Sequence, residues 1–411
     1  LEQGYPYSGT ADYGAGNQQT LQNPFPVTPI GVFAPRYFNP ACVNAPPTAS
    51  GIACNSTQYN SYLDAPFVDQ DTHTPLVRQY NFNFQYEFAK NWVFEAGYVG
   101  ASGINLLDAY HNYNTAYLAS PSNPINGQTT NTLANVAIRV PYLGYQPVGV
   151  QGTAFDGSSN YNSLQVTVRK QFSHGFLMQA SYTWSKDLTD INYDSAGSVG
   201  ADINDPHNLA QQYGPAYFNR PQRFVVNYSY DLPFGTHSGV AGKLLGGWNV
   251  SGVTTVQDGT PLTITDPNAG TIYGTTTAST AQLAAGATYG SILSSGSLGQ
   301  RLGGNSLGTG YFNASQFTSA PTGGIYGNGT GFGDSGVGVV LGPGQFNWDI
   351  SIVKTTRITE RQALIFRTEF FNAFNHAQFS NPVLTLGQTF GEITSTSVNP
   401  RIIQFGVKYL F

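Results

Sequence analysis

Gly333-Asp334-Ser335-Gly336 carries the residue types that surround the nucleophile of serine proteases. That chemistry needs a histidine base at the serine and a buried aspartate to orient it. The six histidines, at 73, 111, 174, 207, 237 and 376, fall in loops, turns or strand ends, none in the matching context. In a Gly-rich connection, turn propensity accounts for the motif. Asp187, Asp190, Asp194, Asp202 and Asp205 form a second cluster, and hard cations such as calcium take carboxylate oxygens. Their spacing lacks the regular Asp-x-Asp-x-Asp-Gly of a calcium loop, and a solvated loop is the simpler reading. Gly242-Lys243 lacks the glycine spacing of a phosphate-binding loop and is followed by Leu244, so it reads as a turn. Cys42 and Cys54, without clustered histidines, make a poor zinc site. A disulfide closing that short Pro/Ser/Asn-rich loop is the favoured reading, with free thiols as the alternative. Neither a metalloprotease helix motif nor a dinucleotide fingerprint occurs, so the expectation is a protein that is not an enzyme and needs no cofactor.

The elements that would position these residues are strands. From Tyr80 to Phe88 the even positions are Tyr80, Phe82, Phe84, Tyr86 and Phe88, and the odd ones are Asn81, Asn83, Gln85 and Glu87. Side chains alternate faces along a strand, so one face is aromatic and the other polar. Similar alternation recurs at Leu164–Arg169, Met178–Ser185, Phe224–Asp231, Trp348–Val353, Leu364–Phe370 and Ile403–Phe411, with weaker versions starting at Trp92 and Trp248. That predicts about nine strands of roughly 9–13 residues, long enough to cross a bilayer when tilted.

Composition points the same way. Charged residues are 9% of 411 and aromatics 14%, with 26 Tyr and 26 Phe, whereas a soluble domain is about a quarter charged. A wall with lipid on one side and water on the other would need this balance. The net charge of −5 provides no basic footprint for nucleic acid. No apolar run approaches a transmembrane helix. The chain begins at Leu1 rather than Met, and the expectation is a fragment of a longer protein.

Connections decide between a soluble sandwich and a membrane barrel. Tight ones at Ala89–Asn91, Ser173–Gly175 and Thr359–Gln362, with a moderate one at Pro233–Gly247, alternate with long ones at 106–160, 188–221, 259–345 and 375–400. Outer-membrane barrels have short periplasmic turns and long extracellular loops. With the C-terminus in the periplasm, every long connection falls outside. Lys170 and Lys354 then lie near periplasmic strand ends on the lipid-facing parity, where a long side chain snorkels. Residues 1–75 read as an extracellular loop region and 76–411 as barrel strands and loops. Glu87, Glu95, Arg169, Arg367 and Glu369 have lumen-facing parity: either they pair with each other or with a plug, or they line a substrate path. Tyr110, Tyr113, Tyr117, Tyr142 and Tyr145 are candidates to stack on a ligand, and loop packing explains them equally well.

The terminus from Ile403 to Phe411 resembles the C-terminal assembly signal of outer-membrane proteins, with Phe405, Tyr409 and Phe411 as its aromatics. Four further stretches resemble Oar-like TonB-dependent receptors, the acidobacterial type with a carboxypeptidase-regulatory-like domain. They are Tyr161-Asn162-Ser163-Leu164-Gln165-Val166 through Tyr182-Thr183-Trp184-Ser185-Lys186; Tyr213-Gly214-Pro215 through Leu232-Pro233-Phe234-Gly235; Gly246-Gly247-Trp248-Asn249 through Gly259-Thr260-Pro261; and Phe346-Asn347-Trp348-Asp349 through Asn375-His376. Where that family has an acidic and His-Arg run before the fifth strand, this chain reads Phe218-Asn219-Arg220-Pro221-Gln222-Arg223. The resemblance implies part of a barrel of about 22 strands, all-β and antiparallel, in the bacterial outer membrane. It implies partners in outer-membrane lipid, the barrel assembly machinery, a polar organic ligand such as a glycan or peptide, and the TonB complex through an upstream plug. An export or surface-adhesion barrel is the alternative.

Overall fold

In the computed structural model the alternating segments are strands of one sheet. The structure describes residues 63–68, 72–143, 145–191, 203–205, 207–234, 239–274, 279–296, 298–302, 310–320 and 331–411. Cys42 and Cys54, and Asp194 and Asp202, lie outside the described residues. Nine long strands follow each other: β1 Leu76–Ala89, β2 Trp92–Asn112, β3 Tyr145–Ser173, β4 Phe176–Thr189, β5 Gln222–Asp231, β6 Trp248–Gln257, β7 Gln345–Arg357, β8 Ala363–Phe371 and β9 Ile402–Leu410. Each pairs antiparallel with the next in chain order, and β1 and β9 are the two edges. Among the described residues no helix is long and apolar enough to cross a membrane.

Register turns sequence parity into two continuous faces. Phe84 pairs with Ala96, and the same row runs through Val166, Tyr182, Phe224 and Val256 to Phe346. The neighbouring row, of opposite parity, is Gln85, Glu95, Thr167, Ser181, Val225, Thr255 and Asn347. A one-residue slip at any pairing would exchange the faces from that point on. The turns prevent this. His174 (φ 52°) and Gly175 (φ 74°) form a two-residue turn between the paired Ser173 and Phe176. Two consecutive positive φ angles match the right-handed twist of the flanking strands.

β2, of 21 residues, and β3, of 29, far exceed the expected length, and the reason is visible in their ladder. Beyond Gly103 the β2–β3 register shifts three times, between Gly103 and Leu106, Leu106 and Asp108, and Asp108 and His111. Each irregularity breaks the two-residue period while hydrogen bonding continues, so the alternation ends before the strand does. Much of 106–160 is therefore strand rather than loop. Leu63–Val68 is also a strand, paired parallel with the first part of β3, inside the span read as loop. Gly242 and Lys243 lie in a short helix, Gly239–Leu245, rather than a turn; the Trp248 indole Nε1–H donates to its Leu244 carbonyl at 3.1 Å.

The apolar core is not in the wall. Among the described residues, every buried apolar side chain lies in the connections or, as with Val150 and Ala154, in the outer part of β3. In the wall the large apolar side chains are exposed or half-buried, Phe82 at 71% and Phe405 at 67%. Such a surface is stable only against another apolar phase.

Candidate functional site: the outer cap and the two faces of the wall

The outer connections are folded against one another. Pro261–Leu262 pairs with Val340–Leu341, Thr265–Asp266 with Ser279–Thr280, and Gln282–Leu283 with Phe317–Thr318. Between these short ladders Leu262, Ile264, Ile292, Phe312 and Phe317 form a core that Phe390 and Ile393 enter from the β8–β9 connection. The Phe312 and Phe390 rings stack at 5.1 Å. Leu386 N–H donates to Thr265 O at 2.8 Å, tying the same two connections through the backbone.

The β6–β7 connection is also the hub for the other two. From the β4–β5 connection, Asn204 Oδ1 accepts from Thr280 N–H at 3.0 Å and from its hydroxyl at 2.8 Å. From the β2–β3 connection, Ala116 N–H donates to Tyr273 O at 3.1 Å. Arg139, fully buried, donates to Asn135 Oδ1 at 2.9 Å and to the carbonyls of Tyr117 and Ile272. Burial lowers its pKa to about 10 and raises that of the Tyr273 phenol to about 12. His207 stacks on Tyr117 at 4.3 Å and bonds Thr115 O at 3.0 Å, joining the first two connections. Four connections thus make one cap.

Motifs read as structural in the sequence are parts of this cap. Ser335 N–H donates to Ala281 O at 3.0 Å, and Asp334 Oδ1 accepts from Leu283 N–H at 2.8 Å. A Cβ on Gly333 would stand 2.1 Å from the Ala281 carbonyl carbon, so only glycine permits that approach. The Ser335 hydroxyl is buried and meets no histidine among the described residues. Asp190 accepts from Ser158 N–H and Oγ–H, both at 2.6 Å, while Asp205 accepts from His207 N–H at 3.0 Å.

Of the ligand-candidate tyrosines, Tyr117 and Tyr142 stay exposed, whereas the Tyr113 hydroxyl donates to Thr153 O at 3.1 Å. Tyr110 falls in β2, and Tyr145 opens β3. Glu87, Glu95, Arg169, Arg367 and Glu369 all share the polar face. Arg367 and Glu369 lie 3.5 Å apart. Among the described residues Glu87, Glu95 and Arg169 form no ion pair. Asp349, a wall acid outside the sequence candidates, lies on the same face and accepts from Asn372 N–H at 2.9 Å.

The opposite face carries aromatic clusters at two heights. Phe346, Trp348, Phe374 and His376 line an apolar cavity of about 390 Å³ near the cap. Phe176, Tyr228 and Tyr230 line another near the tight turns. The stretch of β7 from Phe346 to Lys354 is about 26 Å long, close to the apolar band of an outer-membrane barrel flanked by aromatic girdles. A family model described as an outer membrane beta barrel domain matches residues 1–404.

The chain belongs to this outer membrane beta barrel family. Localisation in the outer membrane, with strands as the crossing elements, follows from that membership and from the exposed aromatic face. No curated protein matches the chain by sequence. Three solved structures share a partial likeness with it. With the outer membrane transporter YddB from Escherichia coli it shares 10% identity over 85% of this chain and 34% of that one, at a TM-score of 0.41. BauA, the ferric preacinetobactin receptor from Acinetobacter baumannii, gives 11%, 82%, 29% and 0.36. The ferric-catecholate import receptor Fiu from K12 E. coli gives 9%, 86%, 30% and 0.37. The chain therefore spans about a third of the length of these structures.

Proposed function

We propose that the chain is the C-terminal wall and outer recognition surface of a TonB-dependent receptor that takes up a polar organic substrate, a glycan or a peptide. The observation that carries this reading is the cap. Two outer connections share an apolar core and two more are hydrogen-bonded to it, so that four make one cap at the end of a membrane-spanning sheet. A rigid scaffold carrying large folded loops is where recognition concentrates. Exposed Tyr117 and Tyr142, among abundant amides and hydroxyls, suit sugar rings or peptide bonds better than a densely charged ligand. Glu87, Glu95 and Arg169 would line the path inward.

The edges of the sheet support a larger assembly. β1 and β9 each have a single strand partner among the described residues. Hydrocarbon does not tolerate a row of unpaired backbone groups, so both edges need partners. Further strands of a 22-stranded barrel would supply them, with the plug and TonB contact in the N-terminal part.

The test is deletion of residues 270–340 from the full-length receptor, followed by binding assays against a panel of glycans and peptides. The expected result is heat-modifiable barrel in the outer membrane at normal yield, with binding lost. Wild-type affinity in the deletion mutant would move recognition to other connections or to the plug.

A further inference from the structure

One cluster of metal-ligating side chains lies outside the features used above. Asp108 and His111 come from the outer part of β2, and Asp156 from the paired part of β3. One donor atom from each lies within 4.8 Å of the other two. His111 Nδ1 and Asp108 Oδ2 are already 3.2 Å apart. Asp108 is buried, His111 half-buried and Asp156 exposed, so the group opens to the medium on one side. Residues three apart on a regular strand would point to opposite faces. The register shift between Asp108 and His111 brings both to one side of the ladder.

We propose that Asp108, His111 and Asp156 bind one divalent cation of the zinc class. An imidazole with two carboxylates suits borderline transition metals, whereas calcium takes an all-oxygen shell. Donor atoms around a tetrahedral zinc stand about 3.4 Å apart. Asp156 therefore has to close by about an ångström, which rotation of an exposed side chain allows. Three protein ligands leave a fourth position for water or a ligand group.

Charge in the neighbourhood favours a cation. Asp156 lies about 46 Å of strand from Lys170 at the turn end of β3, more than a tilted strand needs to cross an apolar band of about 25 Å, and so stands outside the membrane. Asp156 faces the carboxylates of Asp108 and Asp190 as well as the His111 ring. A bound dication would relieve that repulsion and clamp the β2 and β3 extensions beneath the first outer connection.

The experiment is calorimetric titration of the untagged, dialysed full-length receptor in detergent with zinc chloride, alongside visible absorption on cobalt substitution. One zinc per chain is expected, unaffected by excess calcium, with binding roughly 100-fold weaker in His111→Gln and in Asp156→Asn. Asp205→Asn is the matched control and should bind as wild type. Absence of saturable binding by the folded wild-type protein, equal binding in the two variants, or displacement by calcium would each overturn the proposal. If His111→Gln fails to assemble, Asp156→Asn decides alone, because its carboxylate is exposed.

Discussion

Lys354 and Trp248 are direct cross-strand partners on the aromatic face, and the lysine ammonium lies 5.7 Å from the centre of the indole ring. The same ammonium donates to the Lys243 carbonyl at 2.8 Å and to that of Gly246. Lys170 stands in the same relation to its own cross-strand partner, Trp92, at 5.8 Å. In both pairs the stem lies along the apolar face while the amine reaches the turn end, as a snorkelling lysine should. Each pair marks the level at which the wall leaves hydrocarbon.

Lys354→Met keeps the apolar stem but removes the cation–π contact and the two carbonyl bonds. Together these are worth about 1–2 kcal/mol. Urea unfolding of the receptor from lipid vesicles is expected to show that loss. A gain in stability would mean that the ammonium is a burial cost rather than an anchor.

Strand β1 offers a direct test of the two faces. Cysteines placed singly at 80, 82, 84, 86 and 88 should resist a membrane-impermeant thiol reagent, whereas those at 81, 83, 85 and 87 should react. Equal labelling of both sets would contradict the barrel assignment. The alternation of Tyr80 to Phe88 demands one protected face.

Phe411 is 95% exposed and, among the described residues, stacks only on Tyr409, at 6.1 Å between ring centres. Its removal therefore costs the folded wall little packing. If the terminal aromatics serve as an assembly signal, deleting Phe411 from the full-length protein should nonetheless cut the yield of heat-modifiable barrel several-fold. Truncating an outer connection should cut it far less. An unchanged yield would leave Phe411 as an ordinary girdle residue.

Phe312→Ala would open a cavity between Phe390, Phe317 and Ile292 and destabilise the cap by about 3–5 kcal/mol. Limited proteolysis should then cut the connections at 258–344 and 372–401, while the wall remains heat-modifiable and protease-resistant. Simultaneous loss of the wall would show that cap and sheet fold as one unit.

The sequence by itself determined the wall. Tyr80–Phe88, Met178–Ser185 and Ile403–Phe411 alternate because one side of each strand meets an apolar medium along its length, and a two-residue period is a local property that survives without knowledge of neighbours. Short turns such as His174-Gly175 were legible for a similar reason, since their backbone angles select their residues. The tertiary structure decided what lies above the wall. Phe312 meets Phe390, Arg139 meets Ile272, and Asn204 meets Thr280 across separations that leave no periodic trace. Asp108, His111 and Asp156 escaped notice because the bulges that gather them also erase the alternation that would have marked a strand. A bulge depends on how two strands pair, and pairing is settled only when the chain is folded.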